Sequence, residues 1–219
     1  MMDDEIISSE IVILTTGTYM SSLVMVSSTV TESGPDSEPT THNLSQSLRD
    51  AGLETFRLKT GTPPRVLTNT IDFSKAELQP GTDAFVAFST TTKEILPFNE
   101  QVVCYLTYTA PETHRLIHEN LNKSSMYSGV VKGVGPRYCP SIEDKLVRFS
   151  DKERHQLFLE PESRSLDTTY VQGFSTSLPY DIQEKMVHSL PGLENAVIDK
   201  YAYAIEYDAI DPLQLKPSL

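Results

Sequence analysis

The apolar residues of this chain come in short runs, and that narrows the architectures open to it. Runs such as "IVIL" at 11–14 and "LVMV" at 23–26 are a few residues long and are followed by Thr, Ser or Gly. A bilayer-spanning helix needs about 20 consecutive apolar residues, so no such span is expected. Fourteen prolines break the chain further, which predicts many loops and short elements. The opening "MMDDEIISSE" lacks the basic and apolar regions of a secretory signal, so the expected location is the cytoplasm. The 219 residues suffice for one large domain or two small ones.

Read for period, the runs alternate between strand and helix. "EIVILTTGTYM" (10–20) reads as a buried strand ending in a Thr/Gly turn, the pattern of a parallel sheet. "TVTESGPDSEPTTHN" (29–43) reads as a polar loop, and "NLSQSLRDAG" (43–52) as a short helix stopped by Gly52. "QVVCYLTYT" (101–109) is a strong strand. It leads into a helix for which Thr109 and Glu112 fit a capping box and Leu116, Ile117 and Leu121 an apolar face. "YSGVVKGVG" (127–135), "RHQLFLEP" (154–161) and "YAIEYD" (203–208) read as strands. "PYDIQEKMVHSLPG" (179–192) reads as an amphipathic helix with Ile182, Met186, Val187 and Leu190 on one side. Interleaved strands and helices give an α/β class.

Charge limits the function. The formal net charge is −12, against the basic field expected of an autonomous nucleic-acid clamp. The two cysteines lie 35 residues apart and form neither a disulfide framework nor a CxxC metal site.

Local chemistry draws attention to "GVGPRYCPSIEDKLVRF" (133–149). If "PSIED" opens a helix, Ser141 and Asp144 form a capping box, and Cys139 sits just ahead of exposed helix amides with Arg137 nearby. Those surroundings lower a thiol pKa and favour a nucleophile or redox thiol; a small packing residue in a proline turn is the alternative. Cys104, inside an apolar strand, reads as buried and inert. Gly133 and Gly135 form a GxG turn without the third glycine of a dinucleotide fingerprint. "KTGTPPR" (59–65) offers hydroxyls, an amide and cations suited to an anion, or else a solvated turn. His114 and His118, four apart, have zinc spacing but no third ligand.

Taken together, "ILTTGTY", "RLKTGTPPRV", "QVVCYLTYT", "MYSGVVKGVGPRYCPSIEDKLVRF", "RHQLFLEPE", "GFSTSLP" and "YAIEYDAIDPLQLKPSL" resemble, in this order, the glucose-inhibited division protein A family. These are the large flavin subunits of the tRNA uridine 5-carboxymethylaminomethyl modification enzyme. The resemblance implies a cofactor pair, FAD and NADH, a GTPase partner subunit, tRNA as substrate of the intact protein, and a possible homodimer. It implies a partial FAD-binding, Rossmann-like domain with an inserted α/β subdomain: flavin-domain segments at 1–67 and 132–219 and the insert at 68–131. It points to Cys139, and to Cys104 as a second candidate, as the catalytic thiol. Gly135, Pro136, Arg137, Tyr138, Ser141 and Lys145 match the nicotinamide-binding stretch. Thr41 stands where a family serine touches FAD, and Arg57, Lys59, Thr60 and Gly61 are further cofactor candidates.

The chain also departs from the pattern. It starts past the family's glycine-rich FAD fingerprint and stops before its helical domain, and Ser163 and Ala202 replace glycines. Two other functions therefore stand beside the flavin-dependent tRNA-modifying reading: an inert structural or interaction fragment, and another two-dinucleotide flavin oxidoreductase.

Overall fold

The computed structural model describes residues 7–135 and 139–217. Ten strands form two sheets. The first, in the order β2-β1-β10-β3, joins β1 (Leu23–Val26), β2 (Thr29–Glu32), β3 (Thr55–Thr62) and β10 (Tyr203–Ile210). The second, in the order β5-β6-β7-β8-β4-β9, joins six strands. These are β4 (Arg65–Leu67), β5 (Glu77–Gln79), β6 (Cys104–Tyr108), β7 (Gln156–Pro161), β8 (Thr168–Gln172) and β9 (Ile198–Lys200). It draws on all three expected segments: β4 from 1–67, β5 and β6 from 68–131, and the rest from 132–219.

The chain is mixed α/β, but the expected parallel sheet is not what it builds. Every pair of strands within the two sheets is antiparallel. Among the described residues, parallel contact is confined to the isolated bridges Met20↔Thr41 and Leu58↔Val134. Residues 10–19, expected as a buried strand, belong to no strand, and Ile11, Val12 and Ile13 are largely exposed. β-propensity alone does not make a strand; a neighbour must accept its ladder and cover its side chains.

The main core lies between the six-stranded sheet and three helices, α2 (Pro111–Asn120), α3 (Ile142–Arg148) and α4 (Tyr180–His188). Alternation along β7 buries Leu157 and Leu159, and β8 adds Val171. From the helices come Leu116, Ile117, Ile142, Leu146, Ile182, Met186 and Val187, joined by Leu190 just past α4. The apolar faces expected of the second and last helices are thus buried as a 3.6-residue period requires. Leu121, expected on the α2 face, packs at the margin of the core.

The start of α2 differs from expectation. The N-cap is Ala110, whose N–H donates to the Thr113 hydroxyl at 3.1 Å, in place of a Thr109/Glu112 box. Thr109 is occupied elsewhere: its hydroxyl accepts the His155 N–H at 2.9 Å and lies 2.7 Å from His114 Nε2. The smaller sheet carries α1 (His42–Asp50), whose Leu48 is buried.

Candidate functional site

The residues singled out in "KGVGPRYCPSIEDK" gather where the small sheet meets α3. Lys132–Gly135 run beside β3, with Lys59 N–H donating to Val134 O at 3.0 Å and Val134 N–H to Arg57 O at 3.3 Å. The expected strand at 127–135 is thus reduced to this single parallel bridge. Buried Glu206 of β10 holds the segment from the sheet side, its carboxylate accepting the backbone N–H groups of Lys132 and Gly133. A Cβ at Gly133 would stand 3.2 Å from the Leu58 carbonyl, so a larger residue there would push the segment a few tenths of an ångström off β3.

Cys139 is half-buried, with Sγ 3.1 Å from Thr60 Oγ1 on β3. Tyr207, on the neighbouring strand, has its phenol pushed up by burial, with Cys139 adding to the effect. After Cys139 the expected capping box is present. Ser141 Oγ accepts the Asp144 N–H at 3.2 Å, and Asp144 Oδ2 accepts the Ser141 N–H at 3.3 Å. The helix amides are not left exposed toward the thiol as expected, because Ile142 N–H donates to Ser175 O at 2.8 Å and Asp144 N–H is capped. The expected contributions of Pro136, Arg137 and Tyr138 lie outside the described residues.

Two α3 residues anchor this corner. Glu143 is fully buried, with Oε1 accepting from Ser124 Oγ at 2.9 Å and Thr176 Oγ1 at 2.8 Å. Lys145 Nζ donates to Gly173 O at 2.9 Å. Burial pushes the Lys145 ammonium down, and the adjacent Cys139 sulfur opposes that shift. Gly173, at φ +91°, is in the left-handed region, and a Cβ there would meet Lys145 Nζ at 3.0 Å.

A cavity of about 410 Å³ opens from Pro140, the residue after Cys139, and is lined by Lys145, Phe149, His155, Phe158 and Gln172. His155 Nε2 is buried without a hydrogen-bond partner among the described residues. Burial pushes the His155 imidazole below its ordinary value, and the Lys145 charge adds to this. Sequence reading passed over His155 and Glu143, and took Glu206, in the carboxylate cluster "EYDAIDP" (206–212), as part of a polar turn or strand end; each looks like an ordinary polar residue until the fold buries it.

The other expected site residues are placed apart or already engaged. Cys104 opens β6 in the larger sheet; burial pushes its thiol up and Glu160 adds to that. Arg57 donates to Ser21 O at 2.7 Å and Asp208 Oδ1 at 3.0 Å, with Glu206 3.5 Å away. Lys59 is buried at 2% exposure, and Gly61 sits inside β3, so "KTGTPPR" begins as strand and not as an open turn. Thr41 is exposed and donates its hydroxyl to Tyr19 O at 3.1 Å. His114 is engaged by Thr109, and among the described residues no group of three or more His, Cys, Asp or Glu could hold a metal.

The family model described as "Glucose inhibited division protein A" matches residues 1–219. A relative from Malacoplasma penetrans, named tRNA uridine 5-carboxymethylaminomethyl modification enzyme MnmG, is 53% identical over 218 residues. The match covers 100% of this chain and 35% of the relative. The protein of that name from Ureaplasma parvum serovar 3 is 54% identical over 219 residues, with 36% of its length covered. Aquifex aeolicus GidA, in its form I crystal, superposes with a TM-score of 0.83 at 47% identity, over 94% of this chain and 35% of that one. The chain therefore spans about a third of the length of these curated relatives.

Proposed function

The chain belongs to the Glucose inhibited division protein A family, and from that premise we propose that it forms part of a FAD- and NADH-dependent tRNA-modifying enzyme. The intact enzyme installs a carboxymethylaminomethyl group at C5 of the wobble uridine, in the cytoplasm, together with a GTPase partner and as a homodimer. Among the described residues no helix is long and apolar enough to cross a membrane.

The observation that carries this reading is the placement of Cys139 beside Thr60, with the cavity opening at the next residue. Thiolate addition to the uracil ring would push an electron pair onto the neighbouring carbon and make it nucleophilic. After that carbon bonds the incoming one-carbon group, a base removes its proton and the C–S bond breaks, which expels the thiolate and restores the ring double bond. Thr60 orients the sulfur, and Lys145 places a cation near it.

The cavity residues fit a nicotinamide ring. Phe149 and Phe158 supply apolar faces, while unpartnered His155 Nε2, Lys145 and Gln172 supply polar groups suited to a carboxamide. A bound reduced nicotinamide supplies hydride, and the chain's own residues orient the ring and limit water around Cys139. Arg57 of β3 is not free for a pyrophosphate, because its guanidinium is taken up by Asp208, Glu206 and Ser21. That engagement favours a second reading, in which the chain is a structural or interaction segment without activity of its own.

Titrating the chain with NADH, followed by nicotinamide fluorescence, separates the two. Saturable binding at high micromolar concentration, weakened by Lys145→Gln, is the expected result. Absence of both NADH and FAD binding at that concentration would leave only the second reading.

A further inference from the structure

Away from Cys139, on the side of the small sheet where β1 and β2 meet the start of α4, three tyrosines converge. Tyr180, Tyr201 and Tyr203 border a cavity of about 280 Å³ whose wall includes Val24 and Val26. The rings of Tyr180 and Tyr201 lie 4.6 Å apart, tilted by 51°. Tyr201 is fixed by donating its hydroxyl to Glu184, which together with burial pushes that phenol up. Tyr203 forms the more buried element, its hydroxyl facing the Asp36 backbone. Tyr180 is 53% exposed and leaves a ring face free.

The cavity also holds a cation. Lys200 Nζ is 3.3 Å from an Asp36 carboxylate oxygen at the rim, in a half-exposed pair. Asp36 and Ser37 adopt φ of 51° and 66°, the left-handed region that non-glycine residues rarely occupy. Because the ammonium is already present, an aromatic cage for a second cation is the wrong description. The combination lacks a flat π-system for the free tyrosine face, carrying a negative charge that can compete with Asp36 for Lys200.

We propose that this cavity is a docking site for an unpaired nucleotide, with the base stacked on the face of Tyr180 turned away from Tyr201 and the phosphate on Lys200. Aromatic platforms flanked by a cation hold single-stranded nucleotides without reading their sequence. Contact between Lys200 and a phosphate displaces counterions, so binding falls with added salt, and the net charge of −12 keeps it weak. The inference extends the reading of the chain as part of a tRNA-modifying enzyme by naming where a splayed base docks. It does not depend on flavin, NADH or Cys139.

The test uses the 219-residue chain and two probes: uridine monophosphate, followed by saturation-transfer NMR, and fluorescein-labelled hexauridylate, followed by anisotropy. Stacking on one aromatic side chain is worth roughly 5- to 150-fold in affinity. Tyr180→Leu is expected to weaken binding by about 5-fold or more, while Tyr180→Phe, which keeps the ring, stays within about 2-fold. Lys200→Gln is expected to weaken the monophosphate more than uridine. Binding of hexauridylate alone assigns the site to an RNA strand, and equal binding of the monophosphate assigns it to free nucleotides as well. The proposal is overturned if neither probe binds at millimolar concentration, or if Tyr180→Leu and Tyr201→Leu, folded by circular dichroism, bind as the parent does. Tyr180→Leu is expected to leave the NADH titration unchanged, so loss of the nicotinamide reading would not remove this one.

Discussion

Replacing Glu206 by glutamine tests whether a buried carboxylate on β10 holds the segment that delivers Cys139. Glu206 is 3% exposed and accepts two backbone N–H groups, from Lys132 and Gly133, with the Arg57 guanidinium 3.5 Å away. Hydrogen bonds to a charged group contribute about 1.5–3 kcal/mol each, against about 0.5–1.5 for neutral partners, so two bonds reduced to neutral strength cost about 2 kcal/mol. The full penalty of breaking a buried ion pair, about 3–5 kcal/mol, is not reached, because Arg57 keeps Asp208 at 3.0 Å. For a chain of this size, about 2 kcal/mol lowers Tm by about 4–8 °C. Loosening 132–135 also frees Cys139 from Thr60, so the alkylation rate of Cys139 rises while that of Cys104 stays constant. Scanning calorimetry and mass-resolved iodoacetamide labelling read the two effects. A Tm within about 1 °C of the parent, with an unchanged ratio of the two labelling rates, would refute the clamp.

Other perturbations bear on separate parts of the structure. Ser141→Ala removes the cap of α3 and is expected to cost about 0.5–2 kcal/mol in urea unfolding, with Ser141→Asp recovering most of it. His114 and His155 both have folded pKa values pushed below the ordinary histidine value by burial, so the unfolded chain binds more protons near pH 6. Their stabilising contribution is therefore complete above about pH 6.5 and is lost as pH falls through the lower folded values. His155→Gln should flatten that part of the stability profile, and an unchanged slope between about pH 5.5 and 7.5, one unit either side of the free value, counts against it. Burial and then Glu160 push the Cys104 thiol up, so Glu160→Gln should lower the pH midpoint of its alkylation; an unmoved midpoint removes Glu160 from the account.

Much of the secondary structure was legible because local signals and burial agree there. "PYDIQEKMVHSLPG" places Ile182, Met186 and Val187 at helical spacing, and all three are buried in α4. "PSIED" carries its capping box within four residues, and the structure forms it. The reading failed where a partner was needed. "IVIL" has strand propensity, yet no neighbouring strand among the described residues accepts it. Thr109 fits an N-cap, but its hydroxyl is taken by His155 and His114 from other elements.

The amino-acid sequence by itself determined the mixed class, the family, the amphipathic helices and the candidacy of Cys139. Those depend on residue types at short spacing, or on long runs shared with relatives. Only the tertiary structure decided that all the sheet pairings are antiparallel, that "KTGTPPR" begins as strand, and that Arg57 is consumed by Asp208 and Glu206. It also decided the surroundings of the thiol: Thr60, Lys145 and Tyr207 lie 79, 6 and 68 residues away along the chain yet meet Cys139. Such pairings depend on which long-range contacts recover the entropy of closing the intervening chain. That balance is set by the whole fold and is not written in any one segment.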